Sequence, residues 1–159
     1  METFRVTIQS PLVIDEHDAG LLDDQATEAQ FKTIDWTKWA LVYADPSYGD
    51  CLEAFYYFEA KRPGEKRKEP LLCISGQAQT VDEVQKHGPL CRVQYFFLEK
   101  SISKGFLGFG AGKESMALSD RTMRDCTVDV AQKFLEAFLQ GDLVYLDQHL
   151  KDNDFEDSY

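Results

Sequence analysis

The chain has 159 residues, of which 43% are hydrophobic and 13% aromatic, and its formal net charge is −11 at pH 7. This length and composition predict a folded globular domain with a buried core and exclude an intrinsically disordered protein. Strong acidity argues against a nucleic-acid partner, because phosphate binding requires a basic face. The chain contains no apolar run of about eighteen residues and no basic and apolar N-terminal signal, so we expect a cytoplasmic protein without a membrane partner.

The charge is distributed unevenly along the chain. Residues 1–60 carry a net charge of −9, residues 61–113 carry +5 and residues 114–159 carry −7. Acidic ends of this kind favour association with a basic protein, because complementary charge accelerates encounter and selects the partner. Acidity also keeps a protein soluble, and this alternative explains the same composition.

The N-terminal residues predict one strand, an acidic loop and one helix. Apolar and polar residues alternate over Thr3–Gln9, which is typical of a strand with one buried face. After Pro11, the residues Leu12–Ile14 predict a second short strand or an edge extension. The segment DEHDAGLLDDQ predicts a loop, and Asp23 or Asp24 would then cap a helix over Gln25–Ile34.

The middle of the chain predicts strands rich in aromatic residues. Asp35–Ala44 (DWTKWALVYA) predicts a strand with Trp39, Leu41 and Tyr43 on one face, and Asp45–Asp50 predicts a turn. Cys51–Gln79 contains an aromatic arm, a charged connector with Pro63, Gly64 and Pro70, and an apolar arm, which together predict a β-hairpin with a basic tip.

The C-terminal half predicts another strand followed by helices. Thr80–His87 predicts a helical turn or a loop, and Leu90–Lys100 predicts a strand. The core side of that strand would carry Cys91, Val93, Tyr95 and Phe97. The glycine-rich Gly105–Gly112 predicts a loop, and Met116–Leu118 a short strand.

Helical spacing of apolar residues predicts a helix over Thr127–Gln140, with an alternative start at a Ser119 cap. Gly141 would end this helix and Asp142 would cap another over Leu143–Leu150. We therefore predict an α+β fold, a mainly antiparallel β-sheet with an N-terminal helix and packed C-terminal helices. Residues 1–150 would form a single domain, and residues 151–159 an acidic, disordered tail.

No residue pattern in the chain identifies an active site. The segment GFGAGKES departs from the phosphate-binding loop pattern, because Leu107 replaces its first glycine and Glu114 its metal-binding hydroxyl residue. No nucleophile signature surrounds a serine or any of the four cysteines, which we predict to be free thiols in a reducing compartment. Glu53 and Glu59 lie about 20 Å apart along one strand, too far to act as a carboxylate pair.

We therefore expect a non-enzymatic protein that needs no cofactor or metal. The favoured hypothesis is an acidic protein-binding module, specifically a bacterial immunity protein that neutralises a basic, nuclease-type toxin. The alternative is a small-molecule or lipid-binding domain with an apolar cavity under the sheet, lined by Phe55, Tyr57, Tyr95 and Phe97. The candidate partner-binding residues are Asp15, Glu16, Asp18, Asp23, Asp24, Asp45 and Tyr48.

Overall fold

The computed structural model describes residues 1–13, 15–47, 56–64, 70–103 and 113–152. Within these ranges seven strands form one antiparallel sheet with the order β2-β1-β3-β4-β5-β6-β7. The strands are β1 (Phe4–Gln9), β2 (His17–Leu22), β3 (Tyr57–Lys61), β4 (Leu71–Gly76), β5 (Leu90–Ser103), β6 (Lys113–Thr127) and β7 (Lys151–Asp152). The helices are α1 (Asp24–Lys32), α2 (Trp36–Ala44), α3 (Val81–His87), α4 (Val128–Gln140) and α5 (Leu143–His149). The predicted α+β fold is confirmed.

The helices pack on one face of the sheet and form the core with it. Alternate residues of the strands point to this face, as Phe58 and Leu72 do, and they are almost completely buried. Helix α4 presents Phe134 and Phe138 to them, and the Phe138 ring lies 5.8 Å from that of Phe4. The remaining residues of each strand point to the opposite side of the sheet, which we call the open face.

The predicted hairpin is present wherever the structure describes it. Strands β3 and β4 pair antiparallel from Tyr57 opposite Ser75 to Lys61 opposite Leu71. The Arg62 backbone N–H donates to the Pro70 carbonyl over 3.0 Å, which extends the pairing beyond the strands. Residues 51–55 and the basic tip at residues 65–69 lie outside the described residues, as does the glycine-rich segment at residues 105–112.

The prediction of a strand over Asp35–Ala44 is wrong, because Trp36–Ala44 forms helix α2. Buried Trp36 and Ala40 are four residues apart and therefore share one helical face. The Asp35 carboxylate accepts a hydrogen bond from the Lys38 backbone N–H over 3.0 Å and caps the helix. The high β-propensity of the aromatic residues was misleading, since helical spacing buries them equally well.

The predicted acidic loop contains an edge strand. Strand β2 pairs with β1 from Leu22 opposite Phe4 to His17 opposite Ile8. The register shifts beside Gly20, whose φ of 83° is readily adopted by glycine. Backbone pairing with β1 therefore stabilises a strand that its polar side chains did not predict. The expected strand at Leu12–Ile14 is absent over its described part, where Leu12 lies in a turn.

Strand β6 is much longer than the predicted Met116–Leu118 and continues to Thr127. The alternative helix start at Ser119 is therefore wrong, whereas the predicted helix over Thr127–Gln140 is confirmed as α4. Helix α1, with its Asp23 cap, and helix α5, with its Asp142 cap, are confirmed as well. The predicted helical turn at Thr80–His87 is α3, and its Thr80 cap forms a capping box with Glu83.

The cap of α4 gives a prediction about stability. The Thr127 hydroxyl oxygen accepts a hydrogen bond from the Val130 backbone N–H over 3.3 Å. We expect Thr127→Ala to lower the free energy of unfolding by about 1 kcal/mol, because that N–H loses its acceptor. Thr127→Ser keeps the acceptor and is the matched control. Urea denaturation measures both, and equal stability of the two variants would contradict the assignment.

Candidate functional site

The predicted acidic residues gather on β2, the strand at one end of the sheet. Asp15 and Glu16 directly precede β2, Asp18 lies within it, and Asp23 and Asp24 follow it at the start of α1. The side chains of Asp15, Glu16, Asp18 and Asp24 are exposed. Within the described ranges β2 pairs with β1 and with no other strand. The structure thus places five of the seven predicted residues in or beside one edge strand. We call β2 together with Asp15, Glu16, Asp23 and Asp24 the β2 edge.

Three of these five carboxylates also have contacts within the protein. Asp23 caps α1 by accepting from the Ala26 backbone N–H over 2.8 Å. Asp18 accepts from the Gly20 backbone N–H over 2.9 Å and forms a 3.3 Å ion pair with the exposed Arg5. Glu16 accepts a hydrogen bond from the Tyr57 hydroxyl. Asp23 therefore has a structural role, while Asp15, Glu16, Asp18 and Asp24 present negative charge to the solvent.

The other two predicted residues lie elsewhere. Asp45 follows α2 as its C-cap and accepts from the Ser47 backbone N–H over 2.8 Å. Hydrogen bonds from Ser47 lower the pKa of the Asp45 carboxyl. The α2 helix packs mainly against α3, so Asp45 does not belong to the β2 edge. Tyr48 lies outside the described residues.

A large apolar side chain is exposed on the same strand as the carboxylates. Leu21, within β2, is 62% exposed, and Val13, in the connection between β1 and β2, is 57% exposed. Exposed apolar groups surrounded by charge are a feature of protein interaction surfaces. Among the residues that the structure describes, the β2 edge therefore combines an outer side that pairs with no strand, negative charge and the exposed Leu21 side chain.

The open face carries a second feature, a groove of about 700 Å³. The register places Gln9, Tyr57, Ser75 and Arg92 in one row across β1, β3, β4 and β5. All four line the groove, together with Glu16 at one end and Arg124 at the other. The groove therefore runs from an acidic end beside β2 to a basic end on β5 and β6.

The basic end depends on a β-bulge. Cys91 lies opposite Cys126 and Val93 opposite Met123, so Arg92 faces two residues of β6, Arg124 and Asp125. Asp125 adopts a φ of 57°, in the left-handed region. Its carboxylate accepts from the Gln77 amide over 3.1 Å, and its backbone N–H donates to the Gln77 side-chain oxygen. The bulge returns Cys126 to the core side and leaves Arg124 beside Arg92.

Burial and charge change the pKa values of groups at the acidic end. Burial raises the pKa of the Tyr57 hydroxyl, and its hydrogen bond to the Glu16 carboxylate raises it further. Burial also raises the pKa of the Glu59 carboxyl, with an added contribution from Glu16 and an opposing one from Lys61. Burial, followed by the Glu59 charge, raises the pKa of the Cys73 thiol to about 12. Cys73 is therefore protonated at neutral pH and is a poor nucleophile.

The raised pKa of Glu59 predicts a pH-dependent stability. The folded state holds the Glu59 proton to a higher pH than the unfolded chain, so stability falls as pH rises through this raised pKa. We expect Glu59→Gln to be more stable than the unmodified protein at pH 7, with a smaller difference at pH 4. Urea midpoints at both pH values measure this, with Glu136→Gln on α4 as the control for loss of one charge. An equal effect at both pH values would contradict the prediction.

Two of the four side chains expected to line an apolar cavity lie on opposite faces of the sheet. Tyr57 lies on the open face, whereas Tyr95 lies in the core, where its ring stacks on that of Phe97 at 5.1 Å and meets that of Phe138 edge-on at 6.0 Å. The fourth residue, Phe55, lies outside the described residues. The predicted cavity therefore cannot have both Tyr57 and Tyr95 in its lining.

Cys73, Cys91 and Cys126 are free thiols, as predicted. Among the described residues, no three His, Cys, Asp or Glu side chains cluster as metal ligands. No helix in those ranges has the length and apolar character needed to cross a bilayer.

No known protein family, curated protein or solved structure matches the chain.

Proposed function

We propose that this protein is an acidic, non-enzymatic binding module that docks a basic partner protein at the β2 edge. The most specific form of the proposal is a bacterial immunity protein that neutralises a nuclease-type toxin. One observation supports the proposal most strongly. Exposed Asp15, Glu16 and Asp18 lie in or directly before an edge strand whose Leu21 side chain is also exposed.

Each component of the edge has a role in this account. The outer backbone groups of β2 can pair with a strand of the partner, which is a common mode of protein recognition. The carboxylates accelerate encounter with a positively charged surface, and Leu21 supplies apolar contact area. A nuclease has a basic surface because its substrate is a polyanion, so it has the charge that this edge would select.

Negative charge on an edge strand also has a protective function, because it prevents the sheets of two molecules from pairing. The two roles differ in their consequences. A purely protective edge requires no partner, whereas a docking edge binds one with a sharp dependence on salt. The alternative of a small-molecule-binding domain stays a prediction, but Tyr57 and Tyr95 cannot line its cavity together.

The product of the reading frame adjacent to the gene for this chain provides a direct test. The proposal predicts that this product is basic, co-purifies with the chain at low salt, and dissociates as the salt concentration is raised. For the immunity role, co-expression of the chain would abolish the toxicity of that product. A neighbourhood of metabolic genes without a toxic or basic product would contradict the immunity role.

A further inference from the structure

The open-face groove shares Glu16 with the β2 edge, but its other residues lie on β1, β3, β4, β5 and β6 or directly after β4 and give it a chemistry of its own. We propose that it binds a small polar molecule with a carboxylate or phosphate group at one end and a hydrogen-bond donor at the other. The anionic group would lie between Arg92 and Arg124, and the donor would approach the Glu16 carboxylate beside Tyr57. This inference does not depend on the proposed protein-binding function.

The contacts of Arg92 prepare it to bind an anion. Its Nε donates to the Thr122 hydroxyl oxygen over 3.3 Å, and that hydroxyl donates in turn to the Val93 carbonyl over 3.1 Å. These bonds orient the guanidinium while its two terminal nitrogens can still donate to a ligand in the groove. Within the described residues, no carboxylate forms an ion pair with Arg92.

The bulge adds a second cation to the same end of the groove. Asp125 is one of the two bulge residues of β6, and its two hydrogen bonds with Gln77 fix the backbone next to Arg124. An anion that contacts Arg92 would also lie near the Arg124 side chain, because both line the same end of the groove. A rigid backbone lowers the entropic cost of binding, so a fixed bulge is a suitable support for a ligand-binding residue.

The acidic end and the length of the groove further restrict the charge and the size of the ligand. Tyr57 and Arg92 lie two strands apart, a separation of about 10 Å at the usual strand spacing. Ser75 lies between them and offers a hydroxyl group for a polar middle section. The Glu16 carboxylate favours a donor and repels a second anionic group. The groove therefore suits a short molecule with one anionic end, and it disfavours a polyanion.

Titration of the intact chain with two small probes tests this inference. Phosphoethanolamine and γ-aminobutyrate each carry an ammonium group, with a phosphate or a carboxylate at the other end, whereas ethanolamine lacks an anion. The readout is the Nε–Hε signals of Arg92 and Arg124 in NMR spectra at constant ionic strength. We expect saturable shifts with at least one anionic probe and none with ethanolamine. The probe that saturates at the lower concentration identifies the anion as phosphate or carboxylate.

Matched arginine variants show whether binding occurs in the groove. Arg92→Gln is expected to weaken binding about ten-fold, because a charge-assisted hydrogen bond is lost. Arg124→Gln is expected to weaken binding by the same factor. It replaces Arg92→Gln in the test if Arg92→Gln lowers the melting temperature of the protein. Arg5→Gln, which removes the same charge outside the groove, should leave affinity within about two-fold of the original. Absence of saturation with both anionic probes, or unchanged affinity in both groove variants, would overturn the inference.

Discussion

Gly76→Ala is expected to lower the free energy of unfolding by about 3 kcal/mol, because the core has no space for the added methyl group. A Cβ atom at Gly76 would lie 1.8 Å from Cζ of Tyr56 and 2.2 Å from its hydroxyl oxygen. The Tyr56 side chain is 1% exposed, and its ring packs against those of Trp36 and Tyr43 at 6.0 and 5.5 Å. The ring cannot withdraw without displacing these neighbours.

A double variant distinguishes this collision from a general intolerance of β4 to substitution. Tyr56→Leu removes the end of the ring that approaches Gly76, so the combination with Gly76→Ala should lose less stability than the sum of the two single changes. Ser75→Ala, at the neighbouring position, should change the free energy of unfolding by less than about 0.5 kcal/mol. Urea denaturation at equilibrium measures all four proteins. Additive losses would contradict the proposed contact.

Asp15→Asn combined with Asp18→Asn is expected to weaken binding of the basic partner about ten-fold or more at low salt, mainly through slower association. Both side chains are exposed on the β2 edge, so their removal should reduce charge complementarity without exposing the core. Asparagine at position 18 keeps an oxygen that can accept from the Gly20 backbone N–H, so the fold of the edge should persist. Surface plasmon resonance would give the association and dissociation rates separately.

A variant with the same net charge controls for general acidity. Asp82→Asn combined with Asp129→Asn removes two exposed carboxylates from the first turns of α3 and α4. If docking occurs at β2, this control should weaken binding much less than the β2 pair does, because Coulomb attraction falls with distance from the basic surface of the partner. Equal weakening by both pairs would mean that overall charge, and not the β2 edge, determines binding.

The spacing of apolar residues predicted most helices correctly. It failed where pairing with another strand determined the structure, and where the residues fit both a helix and a strand. The apolar spacing of α4 is unambiguous, and its bounds agree closely with the prediction. In α2 the aromatic residues fit both a strand and a helix, and only burial of Trp36 and Ala40 distinguishes the two. Strand β2 forms because its backbone pairs with β1, a long-range interaction that no local pattern contains.

The two candidate sites could likewise be predicted only in part from the sequence. The acidic composition predicted that Asp15, Glu16 and Asp18 bind a partner. It did not predict the edge strand in or beside which these residues lie. The groove was missed because Arg92 and Arg124 acquire a common position only through register and a bulge. A sequence signal did exist: polar residues alternate with the core positions of β5. It became interpretable only when the strand order was known.

Amide hydrogen exchange in the complex with the basic partner tests the docking proposal most directly. If the partner pairs with the outer side of β2, backbone amides of His17–Leu22 that do not already bond to β1 should exchange more slowly in the complex. Amides of α4, on the covered face of the sheet, should change little. Protection confined to the helices, with unchanged exchange throughout β2, would contradict docking at this edge.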